Sequence, residues 1–194
     1  MSKASADTHA ATSGWPEKIP DLTGDQYILT DLEYNYRNFS YATTSCGEDH
    51  QMNPGLIVYP HDARDVGLTL QYAKAHGKAV AVRTGGHQYS GASSTTHENI
   101  LIDVSKTWAH EEPILTKDDS NMETATLKIS VSWKLADFNQ WVRDKKHGVF
   151  VPTGQCAGVM IGGHVQTGGY GKLFEQLVSP YTKIRRKSTY TIVG

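Results

Sequence analysis

Two glycine clusters constrain this chain more than any other feature: RTGGHQYSGAS at Arg83–Ser93 and PTGQCAGVMIGGHVQTGGYGKL at Pro152–Leu173. Glycine has no Cβ, so a segment dense in it can turn sharply and lie close against other backbone or a flat ligand. Thr84 to Ser90 presents a row of backbone N–H groups of the kind that cradles phosphate oxygens. Each cluster also holds one nucleophilic side chain, His87 in the first and Cys156 in the second. Paired glycines equally mark tight turns, and for the first cluster that plainer reading stays open. The second carries Gly154, Gly158, Gly162, Gly163, Gly168, Gly169 and Gly171, more backbone freedom than a turn requires. Neither cluster fits the common nucleotide fingerprints, because GxGxxG and glycine-lysine-serine/threonine are both absent, so a Rossmann or P-loop assignment fails.

The segments around the clusters read as α/β. Leu56–Tyr59 is a short apolar run closed by Pro60, which predicts a buried strand. Asp62 predicts the cap of a following helix with Asp65 in its first turn, Val66, Leu70 and Ala73 on its inner face, and Gly77 at its end. Ala79–Val82 is the next strand. The first cluster therefore leaves a strand end in a β-α-β unit, where open α/β sheets place ligands. Ile100–Val104 and Thr124–Val131 read as further strands, the second with one face in solvent. Leu135, Phe138, Trp141 and Val142 recur at helical spacing before Gly148. Val149–Val151 leads into the Cys156 cluster, so both clusters are expected to converge from strand ends on one site.

With 194 residues and 38% hydrophobic content, the chain can bury a core and is expected to form one domain, with residues 1–50 as an extension and 54–194 as its body. Residues before Trp15 are small and polar and are expected to be disordered. A net charge of −1 gives no electrostatic case for nucleic acid, and the one basic run, Lys183–Lys187, is short. The opening residues lack the apolar stretch of a secretory signal, and no segment approaches a membrane span. The expectation is a soluble, cytoplasmic protein without a membrane partner, with Cys46 and Cys156 as thiols. In that setting the Asn38-Phe39-Ser40 glycosylation signal would go unused. His87, His97, His164 and Cys156 could be imagined as metal ligands, but none sits at HxxxH or CxxC spacing, and no metal is expected.

The strand and loop VAVRTGGHQYSGAS, the strand ending in Asp103, and FVPTGQCAGVMIGGHVQTGGYGKL together resemble the two signatures of the vanillyl-alcohol oxidase/p-cresol methylhydroxylase flavoprotein superfamily. Within it the chain is similar to the berberine bridge enzyme-like oxidases, from Pro54 to Leu173. The resemblance implies an α+β FAD-binding domain of the p-cresol methylhydroxylase type, built of two small α/β lobes. It implies FAD as the cofactor, held bicovalently, with His87 joined to the 8α-methyl and Cys156 to the C6 carbon of the flavin. Val82, Arg83, Thr84, Gly85, Gly86, His87, Gln88, Tyr89 and Ser90 would line the pyrophosphate. Gly154 would join the cofactor-binding set, while Gly162, Gly163, His164, Gly168, Gly169 and Gly171 would pack against the flavin and its ribityl chain. Val159 matches the position that gates oxygen access in this family, in its oxidase form. His164 would either tune attachment or simply pack, and Tyr170 would stabilise its loop. The activity implied is hydride transfer from an alcohol, sugar or amine carbon of a small molecule to FAD, then electron transfer to oxygen.

Beyond Leu173 the resemblance stops. Phe174–Gly194 does not match the family's continuation, and the substrate domain that supplies the catalytic base has no counterpart. The domain is therefore expected to be incomplete at its C-terminus, with base, substrate and oligomeric state unassigned. The alternative is a catalytically inactive flavin-binding fragment or truncated gene product.

Overall fold

The computed structural model describes residues 15–39, 52–117, 125–145, 151, 153–168, 171 and 188–193. Cys46, Gly148, Gly169, Tyr170 and the residues before Trp15 lie outside them. The first lobe contains β1 (Asp25–Ile28), α1 (Tyr34–Asn38), β2 (Leu56–Tyr59), α2 (Ala63–Ala75), β3 (Val80–Arg83) and β4 (Ile100–Asp103). The second contains β5 (Ile114–Lys117), β6 (Ala125–Ser130), α3 (Leu135–Asp144), α4 (Ile161–Thr167) and β7 (Ser188–Val193).

The first sheet runs in the order β1-β2-β4-β3, with β1 antiparallel to β2 and the remaining pairs parallel. β2 and β4 are apolar at nearly every position because both faces of the sheet are covered. Leu56, Val58, Ile100 and Ile102 point to one side, where they pack with Ile19, Ala73 and Val104. Ile57 and Leu101 point to the other, onto the buried Tyr34 of α1. The stretch read from sequence as an extension supplies β1 and α1, together with Ile19 and Trp15 in the packing. Asn38, the residue of the glycosylation signal, is buried and donates through its amide to Asn53 Oδ1 at 2.9 Å.

Asp62 caps α2 as expected, accepting from the N–H groups of Arg64 at 2.9 Å and Asp65 at 3.2 Å. The inner face of the helix differs from expectation. Leu70 is 49% exposed, whereas Asp65, Thr69 and Ala73 are buried. The reason lies in the loops at the N-terminal end of α2, which offer Asp65 a set of donors. Its carboxylate accepts from Thr23 N and Oγ, Gly24 N and His61 N at 2.8–3.1 Å. Apolar periodicity cannot register a carboxylate that is buried because it is fully hydrogen-bonded.

In the second sheet, β6 lies between β5, antiparallel, and β7, parallel. β6 alternates as predicted: Thr126 and Lys128 face solvent, while Leu127 and Ile129 are buried against Leu135, Phe138 and Trp141 of α3 and Ile161 of α4. Each lobe thus has its own core, and truncating a buried aromatic such as Phe138 would cost about 3–5 kcal/mol. Among the described residues, no helix is long and apolar enough to cross a membrane.

Candidate functional site

The first glycine loop leaves the carboxyl end of β3, and its point of departure is clamped. Arg83 and Asp103, paired in register at the ends of β3 and β4, are both buried and joined by an ion pair of 2.6 Å. The other two guanidinium nitrogens donate to the carbonyls of Asn38 at 2.9 Å and Arg37 at 2.7 Å, satisfying acceptors left over at the end of α1. The second oxygen of Asp103 accepts from Ser105 N at 2.9 Å. Arg83 therefore spends its side chain holding the loop's base, and its backbone is what reaches the loop. Tyr59, donating to the Arg37 carbonyl at 3.1 Å, has its phenol pushed up to about 12, chiefly by burial.

From there Gly86 and Gly91 take left-handed backbone, with φ of 66° and 77°, which folds Thr84–Gly91 back on itself. No acceptor among the described residues takes the N–H groups of Thr84, Gly85, Gly86 or Gln88. Val82 and Tyr89 present exposed side chains at either end of the loop.

The second cluster is not one continuous loop. Residues 153–160 form the loop, but Ile161–Thr167, carrying Gly162, Gly163 and His164, is helical. Glycine costs about 1 kcal/mol per residue in a helix relative to alanine, so IGGHVQT gives no helical signal. The helix persists because its first turn is anchored: Ile161 N donates to Trp133 O at 2.8 Å and Gly162 N to Val131 O at 3.0 Å. Gly168, with φ of 69°, ends it. The loop is held from the other side by α3, whose leading N–H groups, on Leu135 and Ala136, donate to the carbonyls of Val159 at 2.8 Å and Ala157 at 3.2 Å. A turn closes at Cys156 O with Val159 N, and Asn139 of α3 donates to Thr153 Oγ1 at 3.1 Å. Gly171 lies so close to Thr153 that an added Cβ would overlap its carbonyl. Cys156 is an exposed free thiol, while Val159 packs on the core of the second lobe.

The two clusters meet, as their sequence pattern implies. A Cβ at Gly85 would lie 3.2 Å from both Gly158 O and Met160 N, and one at Gly162 would lie 2.9 Å from Thr84 Cγ2. A Cβ at Gly163 would lie 3.9 Å from Thr84 Oγ1, and one at Gly158 would lie 3.3 Å from His87 Nε2. Partial burial lowers the pKa of the His87 imidazole, opposed by a hydrogen bond to the Gly158 backbone. Both effects act on a ring that, when neutral, has one N–H and one nitrogen lone pair. Gly158, two residues past the cysteine, is the contact that counting glycines did not single out. Among the described residues, no three His, Cys, Asp or Glu side chains are grouped to hold a metal ion.

Residues 54–178 match the family model described as FAD binding domain. The chain belongs to this family. Its structure resembles aclacinomycin oxidoreductase (25% identity, TM-score 0.56, covering 76% of this chain and 27% of that one). It also resembles 6-hydroxy-D-nicotine oxidase of Arthrobacter nicotinovorans (19% identity, TM-score 0.53, covering 72% and 27%). In sequence it is similar to berberine bridge enzyme-like 8 of Arabidopsis thaliana, 26% identical over 158 residues that make up 80% of this chain and 28% of the relative. Cannabidiolic acid synthase-like 1 of Cannabis sativa is likewise 26% identical, over 77% of this chain and 25% of its own length. The chain thus spans about a quarter of the length of these relatives. The residues present fit FAD: N–H groups of Thr84, Gly85, Gly86 and Gln88 that no described residue accepts, and two meeting glycine-rich segments whose backbone a flat ligand can approach.

Proposed function

We propose that this FAD-binding domain holds its flavin bicovalently, through His87 and Cys156, and serves an oxidase of the berberine bridge enzyme-like type. The observation that carries the reading is the junction of the two glycine clusters, where the loop of one nucleophile supplies the hydrogen-bond partner of the other. When bound, FAD supplies hydride acceptance from a hydroxyl- or amine-bearing carbon and electron transfer to dioxygen. The chain's residues prepare it. The N–H groups of Thr84, Gly85, Gly86 and Gln88 would hold the pyrophosphate, and Cys156 offers an exposed thiol. The Gly158 backbone, hydrogen-bonded to the His87 ring, would fix its orientation toward the flavin.

Denaturation of the FAD-loaded chain tests this directly. The precipitate should stay yellow. His87→Ala and Cys156→Ala should each retain flavin through the remaining bond, and the double variant should release it all into the supernatant. Release from the unaltered chain would refute bicovalent attachment.

A further inference from the structure

The imidazole of His87 is bordered by two glycines. A Cβ added at Gly85 would stand 3.3 Å from its Cδ2, and one added at Gly158 would stand 3.3 Å from Nε2 and 3.8 Å from Cε1, with Nδ1 beyond 4 Å. Neither glycine has left-handed backbone, so it is space and not conformation that these positions require. Gly158 is itself exposed and belongs to the Cys156 loop, whose carbonyls cap α3. The rim that seats the histidine of one lobe is therefore fixed by a helix of the other.

We propose that Gly158 is a positioning residue for flavin attachment at His87: its backbone holds the ring along the Nε2 side, its missing side chain leaves room for the ring, and Nδ1 is presented to the flavin methyl carbon. The inference rests on the tethering reading above. In the bond it describes, the imidazole nitrogen joins the 8α carbon. The methyl and the imidazole each lose a proton, two electrons pass into the flavin ring, and dioxygen removes both protons and both electrons as hydrogen peroxide. The lowered pKa of His87 supports the scheme, because only a neutral ring has a lone pair to offer.

The Gly158→Ala variant puts a methyl 3.3 Å from Nε2, a contact that the ring must relieve by shifting. Misplacing a reacting group by about 1 Å can cost about a hundredfold in rate, so a shift of a fraction of that should slow attachment at His87 about tenfold. The full chain is loaded with FAD in air, digested at intervals, and the His87 and Cys156 peptides are weighed for flavin. Gly67→Ala, in open space on α2, serves as the control for exchanging glycine for alanine. The expected result is slow His87 adduct formation in Gly158→Ala, with the Cys156 adduct and melting temperature as in the unaltered chain. Unchanged His87 kinetics would overturn the inference, and so would loss of both adducts in step, which would mean the loop had collapsed. If the unaltered chain carried flavin on neither peptide, the tethering reading would fall, and this inference with it.

Discussion

Asp65 offers the sharpest test of how the first lobe is held together. Its carboxylate is fully buried and accepts four hydrogen bonds, three of them from backbone N–H groups of two different loops. In Asp65→Asn the remaining oxygen can serve the donors at Oδ2, but the new amide then faces the N–H of Thr23, donor against donor. A hydrogen bond to a charged group is worth about 1.5–3 kcal/mol and a stranded buried donor costs about 1–3 kcal/mol, so the exchange should cost about 3 kcal/mol. For a chain of this size that corresponds to a fall in Tm of about 6–12 °C. Burial alone would raise the pKa of Asp65, but the N–H groups of His61, Thr23 and Gly24 outweigh it, and the net shift is downward. A carboxyl with a lowered folded-state pKa adds stability above its unfolded value of 3.8 and loses it as pH falls through the folded one. The Tm gap between the unaltered chain and Asp65→Asn should thus be full near neutrality and close under acid. Calorimetry across that range checks both parts. A gap that is absent at neutral pH, or that widens on acidification, would refute the account.

Two glycines of the first lobe should respond in opposite directions to alanine. Gly67, mid-helix with nothing within 4 Å, should gain up to about 1 kcal/mol on Gly67→Ala, whereas Gly77→Ala, at φ of 62°, should lose about 1 kcal/mol, both read from urea midpoints. Arg83→Met strands Asp103 as a buried charge and should cost about 3–5 kcal/mol in the same assay, and a loss under about 0.5 kcal/mol would contradict the clamp described for β3 and β4.

The strands were legible because burial on both sides leaves an apolar run between turn signals, as at Leu56–Tyr59, and the convergence of the clusters was legible because nucleophiles and glycines are sparse and conspicuous. α4 was not, since the hydrogen bonds from Val131 and Trp133 that sustain it arrive from another part of the chain. Asp65 and Arg83 show the same limit. The spacing of Asp65 marks it as a first-turn acid and the family resemblance puts Arg83 along the pyrophosphate, but the side chains are engaged by loops and a helix end that no local pattern announces. Gly158 differs: it stands out in the sequence as one glycine of its cluster, while its contact with His87 requires both loops to be folded.

β2 and β3 follow one another in the chain yet never touch, because β4 lies between them. During synthesis, β1 and β2 can pair early, but α2 and β3 have no parallel neighbour to settle on until Ile100–Asp103 has left the ribosome. Closing that long loop is the slow, entropically opposed step for a parallel pairing. Thr84–Gly91 opens the connection from β3 to the very strand being awaited, so the loop we propose for the pyrophosphate takes shape only as this last insertion occurs. A nascent chain arrested before Ile100 would present helix and strand faces to chaperones and no seat for the cofactor.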